Sequence, residues 1–280
     1  MDEKYWTIED KLVFKPKFNE ELDNYYDVIS QYNKLIFLNS NDIDLLNEKN
    51  IECNINDKKN RDLKYIRSQF NKKIKLPDNV THLYLGNNFN ETMKLTDNVT
   101  HLVFGKSYNK KIKLSGNITH LSFGYCFNRE VELTDNITHL SFGRYFNKKI
   151  ILTENIIYLA FGDDFDQKIK LTQNITHLSF GSWFNQKIKL TDKITNLSFG
   201  NCFNQEIELT KNITHLSFGD SFNQKIELTK NITHLSFGWG FNQEIELTEN
   251  ITNLSLGYSF NKKIKLTENI TNLSFGDNFN

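Results

Sequence analysis

Apolar and polar residues alternate in a pattern that repeats every 19 residues from Phe70 to Asn280. A representative unit, FNQKIELTKNITHLSFGWG, alternates twice, once in I-x-L and once in L-S-F, with the period of short β-strands. Each unit is therefore predicted to form a coil of two strands separated by turns. An aromatic residue followed by Asn, or once by Asp, starts every unit. These aromatic residues are Phe70, Phe89, Tyr108, Phe127, Phe146, Phe165, Phe184, Phe203, Phe222, Phe241, Phe260 and Phe279.

Six apolar side chains in each unit are expected to point inward: the Ile or Val of N-I-T, then Leu, Phe, the Phe of the F-N pair, Ile and Leu. A single coil leaves this interior open to water, so coils must stack in register, and identical residues then form columns. Eleven of the thirteen glycines follow L-x-F or its variant L-x-L, which predicts either a positive φ or no room for a side chain. The predicted fold class is mainly β, a parallel and right-handed β-solenoid of 19-residue coils.

The segment before the repeats is predicted to be a small α+β N-terminal cap over the apolar face of the first coil. This division places the cap in residues 1–69 and a solenoid of about eleven coils in residues 70–280. Residues 12–19, LVFKPKFN, match residues 102–109, LVFGKSYN, closely enough to indicate a degenerate coil within the cap.

The remainder of the cap contains one predicted helix and two predicted strands. Residues 20–32 place their apolar side chains on one helical face, and Asn19 is a suitable N-cap residue. Residues 34–38 and 50–55 have the pattern of strands.

Composition narrows the function classes. The 34 basic and 34 acidic residues cancel, so no general field attracts nucleic acid or anionic lipid. The chain has no apolar run as long as a membrane span, and its first residues do not resemble a signal peptide. We expect an intracellular, cytoplasmic protein. Cys53, Cys126 and Cys202 lack metal-ligand or disulfide spacing and are predicted to be reduced thiols.

Histidine offers the most obvious candidate chemistry. All seven histidines occupy one repeat position, so consecutive ones are expected to stack in a column. Such a column could bind metal, but no carboxylate or thiolate shares its position, so exposed strand-face residues are the preferred interpretation. Ser, Thr and His recur from coil to coil without a unique acid to activate one pair, so the chain is predicted to have no catalytic residues and no cofactor.

The residues from Phe70 to Asn90, FNKKIKLPDNVTHLYLGNNFN, resemble the FNIP repeats, a leucine-rich-repeat-like family. The resemblance extends to Asn280, although the unit is shorter and Thr, or Ser at Ser115, stands where the family has Pro, except at Pro77. It implies an interaction module like those of amoebae and large DNA viruses. Some family members carry an N-terminal F-box that docks to a ubiquitin ligase, which is an alternative interpretation of the cap.

The positions that vary between units indicate where a partner binds. The two residues between each glycine and the next F-N pair change freely, and the unit around residues 156–166 departs most from the repeat. Aromatic residues and Arg among acids are typical of interface hot spots. Neutral variation at unconstrained turns is the alternative explanation. The candidate partner-binding residues are Arg144, Tyr145, Tyr158, Asp163, Asp164 and Trp183.

The sequence therefore predicts a non-catalytic protein–protein interaction solenoid that binds a protein partner. A finer expectation, implied by the family resemblance, is the recognition arm of a larger, ubiquitin-ligase-like assembly. The alternative function is a structural protein that self-associates through its last coil, where Ile270, Leu273, Phe275 and Phe279 have no following coil to cover them.

Overall fold

The computed structural model describes residues 4–38 and 69–279, which fall into two compact units, Met1–Ile137 and Thr138–Asn280. The predicted strand at residues 50–55 and Cys53 lie outside the described residues. In the first unit the strands are β1 (Tyr5–Ile8), β2 (Lys11–Phe14), β3 (Lys34–Phe37), β4 (His82–Tyr84), β5 (His101–Val103) and β6 (His120–Ser122). A 3-10 helix (Leu22–Tyr25) and helix α1 (Tyr26–Ile29) connect β2 to β3.

The second unit consists of strands from successive coils. These are β7 (His139–Ser141), β8 (Tyr158–Ala160), β9 (His177–Ser179), β10 (Asn196–Ser198), β11 (His215–Ser217), β12 (His234–Ser236), β13 (Asn253–Leu256) and β14 (Asn272–Phe275). Neighbouring strands are parallel, and their register is one repeat, so that Leu197 lies opposite Leu178 and Leu216. This is the parallel β-solenoid that the repeat predicts.

The prediction of two strands in each coil is wrong for the described residues, where only the L-x-F side forms regular strands. In place of the second ladder there is an isolated bridge between Lys75 and Lys94. The cause is that coils fan apart away from the sheet. In the second unit the ring centroids of His215 and His234 are 4.1 Å apart, whereas those of Phe222 and Phe241 are 6.2 Å apart. A hydrogen-bonded ladder requires strands about 4.8 Å apart, so the I-x-L segments are too widely separated to pair.

The N-terminal residues extend the sheet of the first unit. Strand β1 is antiparallel to β2, whereas β2, β3 and β4 are parallel. Helical residues are fewer than the periodicity of residues 20–32 indicates. Asn19 does not cap a helix, because its Oδ1 accepts a hydrogen bond from the backbone nitrogen of Asn71 at 3.0 Å. The predicted division at residue 69 stays a prediction.

The core consists of four columns of fully buried side chains in each unit. They are the Ile or Val of N-I-T, the strand Leu, the Phe of L-x-F and the Phe of the F-N pair, as Ile213, Leu216, Phe218 and Phe222 illustrate. The Ile and Leu of I-x-L are less completely buried, because they lie where the coils diverge. The residues predicted to point inward thus form the core, with a gradient of burial away from the sheet.

A close approach between coils explains the glycine after L-x-F. No described glycine has a positive φ. A Cβ atom on Gly200 would instead lie 2.3 Å from the oxygen of Gly181 in the preceding coil. Of the two explanations that the sequence allowed, lack of space is therefore correct.

Candidate functional site

The outward side of the sheet in the second unit forms an open groove of about 780 Å³. It extends from Tyr158 on β8 to Ser274 on β14, and Tyr, His, Asn, Thr, Ser and Leu residues line it. The groove is concave because the coils are closest together on this side. The described residues that line it include no Asp, Glu, Lys or Arg, so its walls offer hydrogen-bonding groups without carboxylates, ammonium groups or guanidinium groups.

Threonine orients the histidine rings in the groove. The hydroxyl of Thr233 lies 3.2 Å from the backbone oxygen of Thr214 and 2.9 Å from Nδ1 of His234. That backbone oxygen already accepts hydrogen bonds from the backbone nitrogens of Thr233 and His234 at 2.9 and 3.0 Å. The contact with Thr233 therefore directs Nδ1 towards the strand backbone and leaves Nε2 as the other hydrogen-bonding atom of the ring.

Stacking and burial favour the neutral form of the His215 ring. The rings of His215 and His234 are stacked with an angle of 14° between their planes. Burial, followed by the neighbouring charges of His234 and His177, lowers the pKa of His215. At neutral pH His215 is therefore an uncharged hydrogen-bonding group of the groove.

The geometry of the column does not suit metal binding. Parallel rings direct their Nε2 lone pairs side by side, whereas zinc ligands must converge on one point at about 2.0–2.1 Å. No group of three or more His, Cys, Asp or Glu residues that could hold a metal ion occurs in the part of the chain that the structure describes. Within that part, no helix is long and apolar enough to cross a membrane.

The six candidate partner-binding residues occupy two different places in the coil. Tyr158 lies on β8, where its ring is between those of His139 and His177 at centroid distances of 6.0 and 6.2 Å. The other five lie in turns that follow the glycine. The structure thus places Tyr158 in the groove and the other five residues in the turns of the same and neighbouring coils.

The turn residues bring an arginine and two aspartates together. Nε of Arg144 lies 3.7 Å from a carboxylate oxygen of Asp163 and 3.8 Å from one of Asp164. Tyr145, in the same turn as Arg144, is 43% exposed. Trp183, in the turn after the two aspartates, is 58% exposed. All five side chains are accessible from solvent, so they can contact a partner.

We call the two residues between each glycine and the next F-N pair of the second unit the turn ridge. It comprises residues 144–145, 163–164, 182–183, 201–202, 220–221, 239–240, 258–259 and 277–278. Backbone hydrogen bonds connect successive turns, as from the nitrogen of Trp183 to the oxygen of Asp163 at 2.8 Å. Any residue except Pro can make this bond, which explains why side chains vary freely here.

Sequence reasoning missed an aromatic pair on the turn ridge. The rings of Trp239 and Tyr258 are stacked with centroids 5.2 Å apart. Both occupy the first position after the glycine in consecutive coils, so the constant spacing of the repeat carried the signal. Cys126 and Cys202, which lie at the second position, are free thiols.

Comparison with known proteins agrees with this fold. The family model described as FNIP Repeat matches residues 70–94, 146–182, 203–228, 223–247 and 241–266. A crystal structure described as that of CroV588, a novel circular LRR protein, is similar, with a TM-score of 0.69 and 32% sequence identity. The similarity covers 99% of this chain and 52% of that one, so the chain spans about half the length of CroV588. Curated protein sequences give no match. The chain therefore contains FNIP repeats, and its fold is that of a leucine-rich-repeat-like solenoid.

Proposed function

We propose that the protein is a non-catalytic recognition solenoid that binds a protein partner through a central patch. The central patch is defined as Arg144, Tyr145, Tyr158, Asp163, Asp164 and Trp183. One observation carries the proposal: three large aromatic side chains, 43%, 40% and 58% exposed, lie in three consecutive coils, two of them in the turns and one on β8. Leucine-rich-repeat-like solenoids are typically non-catalytic, which agrees with a binding role.

The chemistry of the central patch is that of an interface hot spot. Tyr, Trp and Arg contribute most of the binding energy at many interfaces, because they bury large areas and also make hydrogen bonds. The Arg144 contacts of 3.7 and 3.8 Å are longer than charge-assisted hydrogen bonds. A partner that supplies better-placed groups can therefore rearrange them at little cost.

Affinity capture from a lysate of the source cells tests the proposal. The wild type is compared with a Tyr145→Ser, Tyr158→His, Trp183→Ser variant, and bound proteins are identified by mass spectrometry. Serine and histidine are native at the equivalent positions Ser221 and His177, so the variant should fold. A matched control carries Lys170→Gln, Lys189→Gln and Glu208→Gln in the I-x-L segments, away from the patch.

We expect wild type and control to capture the same partner and the triple variant to lose it. Retention by all three proteins would move the binding site elsewhere. No specific partner for any of them would contradict the recognition function itself.

The finer expectation of a ubiquitin-ligase-like assembly is tested in the same experiment. A ligase subunit that docks on the N-terminal segment should be captured by wild type and by the triple variant, while the substrate is lost only by the variant. Absence of every ligase subunit from all captures would remove this part of the proposal.

Self-association is the second candidate function, and one observation favours it. Leu273 on β14 is 44% exposed, whereas the equivalent Leu254 on β13 is 3% exposed. Another coil stacked on β14 would bury Leu273. Sedimentation at increasing protein concentration should reveal a dimer that Leu273→Lys abolishes, and a mass independent of concentration would exclude this candidate.

A further inference from the structure

We propose that Trp239 and Tyr258, with Asp220 and Asp277, form a second binding site that takes the arginine side chains of a basic peptide segment. The site lies within the turn ridge of the second unit and uses no residue of the central patch. It is therefore independent of the function proposed above.

The aromatic pair is unusually accessible. Trp239 is 66% exposed and Tyr258 is 40% exposed, although their rings contact each other in a stack with 26° between the planes. Most other coils of the second unit have Ser, Asn, Asp or Arg at this turn position, so the fold does not require an aromatic ring there. Two adjacent exposed rings instead provide a flat π surface for a ligand.

Local geometry holds a carboxylate at the backbone of Trp239. The backbone nitrogen of Trp239 donates to Oδ1 of Asp220 at 3.2 Å, and that of Gly240 donates to the Asp220 oxygen at 2.7 Å. A Cβ atom at residue 240 would lie 2.4 Å from the same backbone oxygen. Glycine therefore permits a tight turn in which the Asp220 carboxylate is fixed beside Trp239.

The aromatic pair lies between two aspartates in the sequence of turns. Asp220, Trp239, Tyr258 and Asp277 occupy the same turn position in four consecutive coils. All four are exposed, and neither aspartate forms a salt bridge with a residue that the structure describes. A ligand that contacts both rings can thus reach a carboxylate at either end.

Charge along the turn ridge selects a cationic ligand. The ridge contains one basic residue, Arg144, and four acidic ones, Asp163, Asp164, Asp220 and Asp277, so its formal charge is 1 − 4 = −3. The chain as a whole has a net charge of 0. Arg144 is already beside Asp163 and Asp164, so the negative charge around the aromatic pair has no cation among the ridge residues.

Arginine matches this combination better than other side chains. Its planar guanidinium group stacks on an aromatic face and forms paired hydrogen bonds with a carboxylate at its edge. Successive coils repeat at about 4.8 Å, and each aspartate lies one to two coils from the rings. An extended peptide advances about 6.6 Å for every two residues, which is between one and two coil spacings. A peptide that runs along the ridge with arginine at alternate positions can therefore place one guanidinium on the ring pair and another near an aspartate.

A fluorescently labelled peptide of alternating Gly and Arg tests the site by anisotropy with the full-length protein. The Gly–Lys and Gly–Glu peptides are the controls for cation type and charge. Trp239→Ser removes the indole, and the same residue is native at the equivalent position Ser182. The double variant Asp220→Asn, Asp277→Asn removes the charges, and thermal unfolding verifies that each variant is folded.

We expect saturable binding of the Gly–Arg peptide and weaker binding of the Gly–Lys peptide. Trp239→Ser should raise the Kd about fivefold or more, and the double Asn variant should raise it about threefold at low salt. The central-patch triple variant should bind the peptide as wild type does, so failure of either proposal leaves the other testable. Undiminished binding by Trp239→Ser, equal binding of the Gly–Glu peptide, or no saturable binding by wild type would each overturn the proposal.

Discussion

The backbone nitrogen of Asn223 donates a hydrogen bond to Oδ1 of Asn204, 2.9 Å away in the preceding coil. Nε2 of Gln224 donates to the same oxygen at 3.0 Å. One side-chain oxygen thus satisfies two donors of the next coil. The same backbone bond recurs at other F-N pairs, including that from Asn185 to Asp166 at 3.0 Å, so a ladder of side-chain acceptors joins the coils where no strand ladder exists.

Replacing one acceptor of this ladder should destabilise the protein. Asn204→Ala leaves the backbone nitrogen of Asn223 without its partner, and we expect the free energy of unfolding to fall by about 1–3 kcal/mol. Urea denaturation measures the change. The control is Asn201→Ala, an exposed turn residue, which should change stability by less than about 0.5 kcal/mol. Equal losses of stability at the two positions would show that the hydrogen bond to Asn204 does not contribute to the free energy of unfolding.

The glycines allow a sharper comparison, because two of them differ greatly in the space available to a side chain. Gly200→Ala would bring Cβ within 2.3 Å of the Gly181 oxygen, whereas Cβ at residue 116 meets nothing within 4 Å. We expect Gly200→Ala to destabilise by about 2 kcal/mol or more, because overpacking forces the backbone to move. Gly116→Ala should be neutral, or stabilising by up to about 1 kcal/mol. Thermal unfolding of both variants decides, and similar melting temperatures would contradict the close-approach explanation.

Tyr108 provides a predicted stabilising substitution. It stands in the F-N column, where its hydroxyl is buried and has no hydrogen-bond partner among the described residues. Burial raises the pKa of this phenol, as expected for a group withdrawn from water. Tyr108→Phe should therefore increase the free energy of unfolding by about 1–3 kcal/mol.

The reverse substitution, Phe222→Tyr, is the control for Tyr108→Phe. It introduces a hydroxyl into a fully buried position of the same column and should lower stability. If Tyr108→Phe were itself destabilising, the hydroxyl would have a favourable role that the contacts do not reveal.

Stability should decrease in mild acid because of His82. Burial, followed by the positive charge of Lys34, lowers the pKa of His82, while Asp10 opposes the shift and His120 adds to it. The unfolded chain then binds a proton more readily than the folded one, so stability is complete above the unfolded pKa of about 6.5 and falls as the pH drops below it.

Urea unfolding between about pH 7.5 and 5.5 measures this dependence. His82→Asn, which places the residue native at position 196 in the same column, should reduce the loss of stability towards acid. An unchanged pH profile for His82→Asn would assign the dependence to other groups.

The sequence was sufficient to predict the repeat, its FNIP character and the parallel solenoid, because the alternation around L-S-F reports directly on side-chain direction. FNIP repeats and the leucine-rich-repeat-like fold are confirmed. The same alternation in I-x-L gave a second strand that does not form. Alternation describes one coil, whereas pairing depends on the distance between coils, and that distance grows from the His215 rings to the Phe222 rings.

The candidate site was less predictable for a related reason. Tyr158 was grouped with Tyr145 and Trp183 because their units are consecutive, but strand and turn positions present side chains at different places. The Trp239–Tyr258 pair was missed, since a stack between coils appears only when equivalent positions are compared down a column. The partner-binding role of the central patch stays a prediction.

The near-identity of the coils has a consequence for how the chain reaches its native state. If a coil skips its native neighbour and packs against the coil before it, Phe still contacts Phe, Leu contacts Leu and Asn contacts Asn. Only the contacts of the omitted coil are lost. Energetic discrimination between correct and slipped pairings is then weakest where the units are most alike, and repeat proteins are prone to this kind of misassembly. The segment with Ile157, Ala160 and Asp166 differs from the equivalent segments of neighbouring coils. Such irregular segments favour the native register, because their contacts change when the coils pair one repeat out of place.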